Sequence, residues 1–175
     1  MSVDTLIVNL VKREGGYVDH AADAGGPTNF GITQATLAGW RGVPVSADDV
    51  RSMGEAEAVA IYRDRYFVKP GFDQVPDPEF QEFMFDYGVN SGPGQAVKSL
   101  QVCLQRMKVY TGGIDGGMGP LTRQGLRAVT NLPELYYRVK CERYELFLRY
   151  IGHDPRQAAF ATGWSNRMDE LEDVT

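Results

Sequence analysis

The chain has 175 residues, 43% hydrophobic and 23% charged, with a formal net charge of −5. This composition supports one compact domain or two small lobes sharing a core, and it excludes an intrinsically disordered chain. No apolar run reaches membrane-spanning length, the N-terminus reads as an acidic amphipathic helix rather than a basic segment leading into an apolar one, and the acidic balance argues against nucleic acid as the main partner. The expectation is therefore a protein made in the cytoplasm without a Sec signal, with no stable membrane insertion, and a monomer by default.

Val3, Leu6, Ile7, Leu10 and Val11 recur at helical spacing and predict an amphipathic helix, which Gly15-Gly16 stops with Glu14 at its exit. The segment behind it, with Asp19, Asp23, Gly25-Gly26, Thr28 and the run Asn29-Phe30-Gly31-Ile32-Thr33, reads as a glycine-rich hairpin crossing that exit. Thr33 then caps a short helix through Trp40, ended by Gly42 and Pro44. Ser46 with Asp49 makes a capping-box-like start for another short helix, and Glu55 to Val68 reads as a longer one stopped by Pro70-Gly71.

Pro78 opens a segment in which Phe80, Phe83, Met84 and Tyr87 form an apolar face, broken by Asn90-Ser91-Gly92-Pro93-Gly94. That cluster is the expected boundary between two lobes packed together, residues 1–92 and residues 93–175. The second lobe begins with a helix carrying Ala96, Val97, Leu100, Val102, Cys103 and Leu104. A glycine-rich turn from Gly112 to Pro120 leads to a helix from about Leu121 to Val129, then a long helix from Pro133 through Tyr150, then a final helix holding Phe160, Trp164 and Met168 before the acidic end Asp169 to Asp173. The fold class is mainly α with one small β-hairpin region.

The carboxyls carry the chemistry. A carboxyl lodged against apolar helix and hairpin walls loses solvation in its charged form and suits a general acid, while one among glycines and hydroxyls stays ionised. Glu14 fits the first setting, and Asp23 or Asp19 the second. Two carboxyls in unlike environments are the pattern of glycoside hydrolysis. A plainer reading of the same residues is a solvated last-turn Glu and turn-forming Asp side chains.

The stretch from Glu14 to Thr33, EGGYVDHAADAGGPTNFGIT, resembles the signature of glycoside hydrolase family 108, the N-acetylmuramidases of phage endolysins and related bacterial proteins. IYRDRYF from Ile61, FDYGVNSGPGQAVKSLQ from Phe85, IDGGMGPLT from Ile114 and GWSNR from Gly163 resemble that family in the same order, so the resemblance covers nearly the whole chain. It implies Glu14 as the catalytic acid, peptidoglycan as the partner, and a peptidoglycan-binding-like second lobe. The chain is also similar to phage-type lysozymes, which place Glu and Asp with eight residues between them, as Glu14 and Asp23 are here; Thr28 follows one residue sooner than in that pattern. A one-residue shift turns a side chain to the other face of a hairpin unless a bulge restores it. By this resemblance the fold is lysozyme-like α+β with the hairpin at the active site, Asp23 is the second carboxylate with Asp19 as competitor, and Thr28 is a candidate for positioning water.

Sugar rings expose C–H faces on which aromatic rings stack, and Tyr17 and Phe30 lie on the hairpin. Tyr62, Tyr66 and Tyr87 fall at helical spacing and read as core, with Asp86, Asn90 and Ser91 placed to reach a groove; Trp40 and Trp164 read as packing residues. The Asp115-Gly116-x-x-Gly119-Pro120-x-Thr122 turn looks like a motif of small peptidoglycan-binding modules, although scaffold chemistry explains it as well. Cys103 and Cys141 sit in apolar helical patterns and are expected to be reduced, packed thiols. No cofactor and no metal site are expected; His20 beside Asp19 and Asp23 is the nearest approach to one. Charge divides unevenly, −7 through Gly92 and +2 from Pro93 onward, which fits contact of the second lobe with an anionic polymer.

The leading reading is a muramidase that hydrolyses the β-1,4 bond between N-acetylmuramic acid and N-acetylglucosamine and reaches the cell wall in the periplasm after release or export by another factor. The alternatives are a lytic transglycosylase, which needs the acid but not the second carboxylate, and a non-catalytic wall-binding protein on the same scaffold.

Overall fold

The computed structural model describes residues 2–19 and 26–156. Asp23 and His20 lie outside the described residues, as do the final helix with Trp164, the Gly163 to Arg167 motif and the acidic end. Among the described residues the fold is mainly helical with one two-stranded antiparallel sheet, as expected. Packing divides the chain into two compact units, one through Arg65 and one from Tyr66.

In the first unit, α1 (Val3–Glu14) begins at Ser2, whose side chain accepts from the Thr5 amide, and buries Val3, Ile7, Leu10 and Val11. It ends where Gly15 takes a φ of 81°, a conformation a side-chain-bearing residue adopts only at a cost. β1 (Thr28–Asn29) pairs with β2 (Ile32–Thr33), Thr28 opposite Thr33 and Asn29 opposite Ile32. Val18 adds a bridge on the other side of Thr28 through two backbone bonds of 2.8 and 2.9 Å. The turn has two residues, Phe30 at φ 51° and Gly31 at φ 70°, and positive φ at both positions is the type I′ geometry whose twist suits a hairpin.

Thr33 caps α2 (Gln34–Arg41), which Gly42 closes in the left-handed conformation. The full capping box between Ser46 and Asp49 starts α3 (Ala47–Ser52). α4 (Glu55–Arg63) then packs on α1, joined by an ion pair of 2.7 Å between Arg63 and Asp4. The single helix expected from Glu55 to Val68 is α-helical only to Arg63 and continues as a π-helical turn from Asp64 to Val68.

In the second unit, α5 (Pro78–Ser91) runs through the predicted break at Asn90, whose side-chain amide donates to the Asp86 carbonyl at 2.6 Å. Gly92 at φ 87° turns the chain straight into α6 (Pro93–Arg106). α7 (Pro120–Arg127) and α8 (Leu132–His153) follow. The apolar face of α5 meets α8, where Phe80 and Phe83 stand edge-on to Tyr136 with ring centroids 5.4 and 5.1 Å apart. Arg143 of α8, only 1% exposed, pairs with Asp86 at 2.7 Å and lies over the rings of Phe83, Tyr87 and Phe147. A buried cation needs such a partner, since leaving it alone would cost several kcal/mol by estimates of about 3–5 for a broken buried pair. These contacts group α5 with α6 to α8 in one packing unit.

Candidate active site

Glu14 occupies the last position of α1 and is exposed, so the apolar enclosure expected for it is absent among the described residues. What the fold brings to it is the hairpin turn. The Phe30 amide donates to the Gly15 carbonyl at 3.2 Å, which draws the turn against the helix exit. A Cβ placed on Gly31 would lie 2.8 Å from Glu14 Oε2 and 2.7 Å from the Tyr62 hydroxyl oxygen. Both side chains therefore abut the same small space, and only glycine leaves it open.

Phe30 is held at both of its polar backbone groups. Besides the Phe30 amide bond, the Tyr62 hydroxyl donates to the Phe30 carbonyl at 3.1 Å. A bulky residue in the left-handed region costs about 1–2 kcal/mol, so Phe30 persists there because α1 and α4 each anchor it. Phe30 itself is half-buried.

Around the turn, Tyr17 donates its hydroxyl to Asp19 at 3.0 Å, and the Arg51 guanidinium lies 4.6 Å from the centre of the Tyr17 ring. Desolvation, and then the Asp19 carboxylate, push the Tyr17 hydroxyl above its ordinary value. Asp19 is thus oriented by Tyr17. Thr28 is half-buried, with Oγ1 3.5 Å from the Val18 carbonyl oxygen. Asn29, 4% exposed, points its amide at the carbonyls of Val50, Arg51 and Met53 at 3.0, 3.2 and 3.4 Å, satisfying the end of α3 and fixing the hairpin to it. Trp40, read as a packing residue, is 38% exposed at the end of α2.

In the second unit, Asp86 is bound to Arg143 and to the Asn90 amide, and Ser91 closes α5. The Asp115 turn is built around Gln101, which is fully buried: its amide nitrogen reaches Asp115 Oδ1 at 2.7 Å, the Gly117 carbonyl at 3.0 Å and Thr122 at 3.1 Å, while its oxygen accepts from the Gly116 amide at 2.9 Å. The motif's polar groups are committed to each other, which is scaffold chemistry. A groove of about 380 Å³ runs beside α8, and its arginines are likewise paired, Arg106 with Glu142 and Arg138 with Glu134. Burial pushes the Cys103 thiol up to about 12, an inert packed thiol, while Cys141 is half-buried. No group of three or more His, Cys, Asp or Glu is arranged to hold a metal among the described residues.

Sequence reasoning missed four of these residues. Tyr62 falls at core spacing and its ring is indeed buried, but periodicity says nothing of where a hydroxyl ends. Asn29, Arg51 and Gln101 act on partners distant in sequence.

Residues 7–92 match the family described as Glycosyl hydrolase 108, and residues 95–169 match the family described as Predicted Peptidoglycan domain. The structure of Brucella abortus SagA is similar at a TM-score of 0.67 and 30% sequence identity, covering 95% of this chain and 89% of that one. The chain belongs to glycosyl hydrolase family 108. With that membership come the lysozyme-like α+β fold and a glycosidase acting on peptidoglycan. No curated protein matches the chain. Among the described residues of this family 108 hydrolase, no helix is long and apolar enough to cross a membrane.

Proposed function

We propose that the chain is an N-acetylmuramidase that cleaves the β-1,4 bond between N-acetylmuramic acid and N-acetylglucosamine with Glu14 as general acid. The observation that supports this most is the convergence on Glu14: a helix exit, a strained two-residue turn and a buried tyrosine all meet at its carboxyl, which stays open to solvent and hence to a glycan. Family membership makes a glycosidic bond in peptidoglycan the target.

In this reading Glu14 protonates the glycosidic oxygen as the bond to the anomeric carbon breaks. Asp23, or failing that Asp19, activates water or stabilises the oxocarbenium ion. Thr28 positions the water, and Tyr17 and Phe30 offer ring faces to the sugars. Asn90 and Ser91 on α5 supply polar contacts to the glycan, with Asp86 committed to Arg143. Residues 1–92 form the catalytic lobe and residues 93–175 the wall-binding-like lobe.

Glu14→Gln tests the assignment, because Gln is nearly isosteric and has no proton to give the leaving sugar. The variant should melt like the parent and lose roughly 100- to 10,000-fold in turnover of purified cell wall. Products with reducing ends identify hydrolysis, whereas anhydro ends would make the enzyme a lytic transglycosylase. Near-normal clearing by folded Glu14→Gln would remove Glu14 from the reaction.

A further inference from the structure

The geometry points to Tyr62 as the residue that positions the Glu14 carboxyl, an inference that rests on Glu14 being the proton donor proposed above. Tyr62 is 8% exposed, and its ring sits in the core of the first unit. Its hydroxyl leaves that core to donate to the Phe30 carbonyl at 3.1 Å. A phenol has one hydrogen to donate, so this bond fixes the oxygen where a Gly31 Cβ would meet it at 2.7 Å and Glu14 Oε2 at 2.8 Å.

An exposed glutamate in the last turn of a helix ordinarily samples many rotamers, and protonating a glycosidic oxygen demands one of them. Here two boundaries narrow the choice. One is the Gly31 backbone, carried to the helix exit by the bond from the Phe30 amide to the Gly15 carbonyl at 3.2 Å. The other is the Tyr62 oxygen. Tyr62 supplies the second boundary directly and the first indirectly, since its bond holds the Phe30-Gly31 turn in its left-handed conformation, φ 51° and 70°. It is therefore a positioning residue that acts through Glu14.

The rival account is that Tyr62 only fills the core. Tyr62→Phe separates the two because it keeps the ring and deletes only the hydroxyl. Three quantities are measured on the full chain: the melting temperature, kcat and KM on solubilised glycan strands from purified cell wall, and the carboxyl ¹³C resonance of Glu14, assigned by its loss in Glu14→Gln. Positioning predicts a shifted Glu14 resonance and a kcat reduced about tenfold, with KM within about twofold of the parent. An unmoved resonance, a kcat within about twofold of the parent, or a loss confined to KM would each overturn the proposal. If Glu14→Gln remains active while Tyr62→Phe still moves the Glu14 resonance, the positioning of the carboxyl stands and the failure belongs to the assignment of Glu14 as the acid.

Discussion

Adding a single methyl group at Gly31 should uncouple stability from turnover in a way the structure allows to be worked out. Gly31 is at φ 70°, and an L-residue there costs about 1–2 kcal/mol. In a protein of this length that lowers the melting temperature by about 2–8 °C. The steric part falls elsewhere. The new Cβ would stand 2.7 Å from the Tyr62 oxygen and 2.8 Å from Glu14 Oε2, both closer than a carbon tolerates. Tyr62 is buried and bonded to the Phe30 carbonyl, so the exposed Glu14 side chain yields, by roughly 0.5–1 Å if normal contact distance is to be restored. Displacement of a reacting group on that scale costs up to about 100-fold in rate. Gly31→Ala should therefore melt modestly lower yet lose tens of fold in kcat on solubilised glycan strands, measured well below its melting temperature. Adding Tyr62→Phe should not recover the rate, since it also removes the bond that holds the Phe30 carbonyl. A Gly31→Ala variant with parental kcat would refute the claim that the turn confines Glu14, and one with parental melting temperature would refute the reading of the turn as strained for any other residue.

The second carboxylate is tested by Asp23→Asn and Asp19→Asn in parallel: a severe loss of turnover is expected from Asp23 and a milder one from Asp19, the reverse ranking moving the role to Asp19 and two mild effects favouring transglycosylation. The Asp115 carboxyl is held below the ordinary aspartate range, first by the Gln101 amide and then by the Gly117 backbone. Its charged form thus stabilises the fold above the unfolded-state value of about 4, and the contribution is lost as pH falls through the lower folded value. Asp115→Asn should melt below the parent at pH 7, with the gap closing as pH falls below the ordinary aspartate value of about 4; a gap that widens in acid would contradict this. A fragment ending at Gly92 would strip α5 of α6 and α8, exposing Phe80, Phe83, Met84 and Tyr87, all 0% exposed in the intact chain. At about 1.5–3 kcal/mol per buried side chain the loss exceeds what a small unit can carry. The fragment should aggregate, and a soluble, cooperatively melting one would show that residues 1–92 fold independently.

What the sequence determined alone was local. Gly15 stopping α1, Thr33 capping α2 and the Ser46 and Asp49 box each follow from interactions within a few residues, and each is where the sequence placed it. Ordered motifs did the same for family membership. The lobe boundary was read at Gly92 from its glycines and prolines, and the matched families also part near there, whereas the packing division falls at Arg65. Turn residues mark where a helix ends, but Tyr136, lying 53 positions beyond Phe83, decides which helices share a core. The same holds at the site. The place of Glu14 at a helix exit beside a glycine-rich segment is written in the sequence, while the choice between an apolar enclosure and a solvated last-turn carboxyl is not, since burial is a property of what packs over a residue. Tyr62 stands 48 positions after Glu14 on a helical face that spacing assigns to the core, and only the folding of α4 onto α1 brings its hydroxyl to the turn that borders the carboxyl.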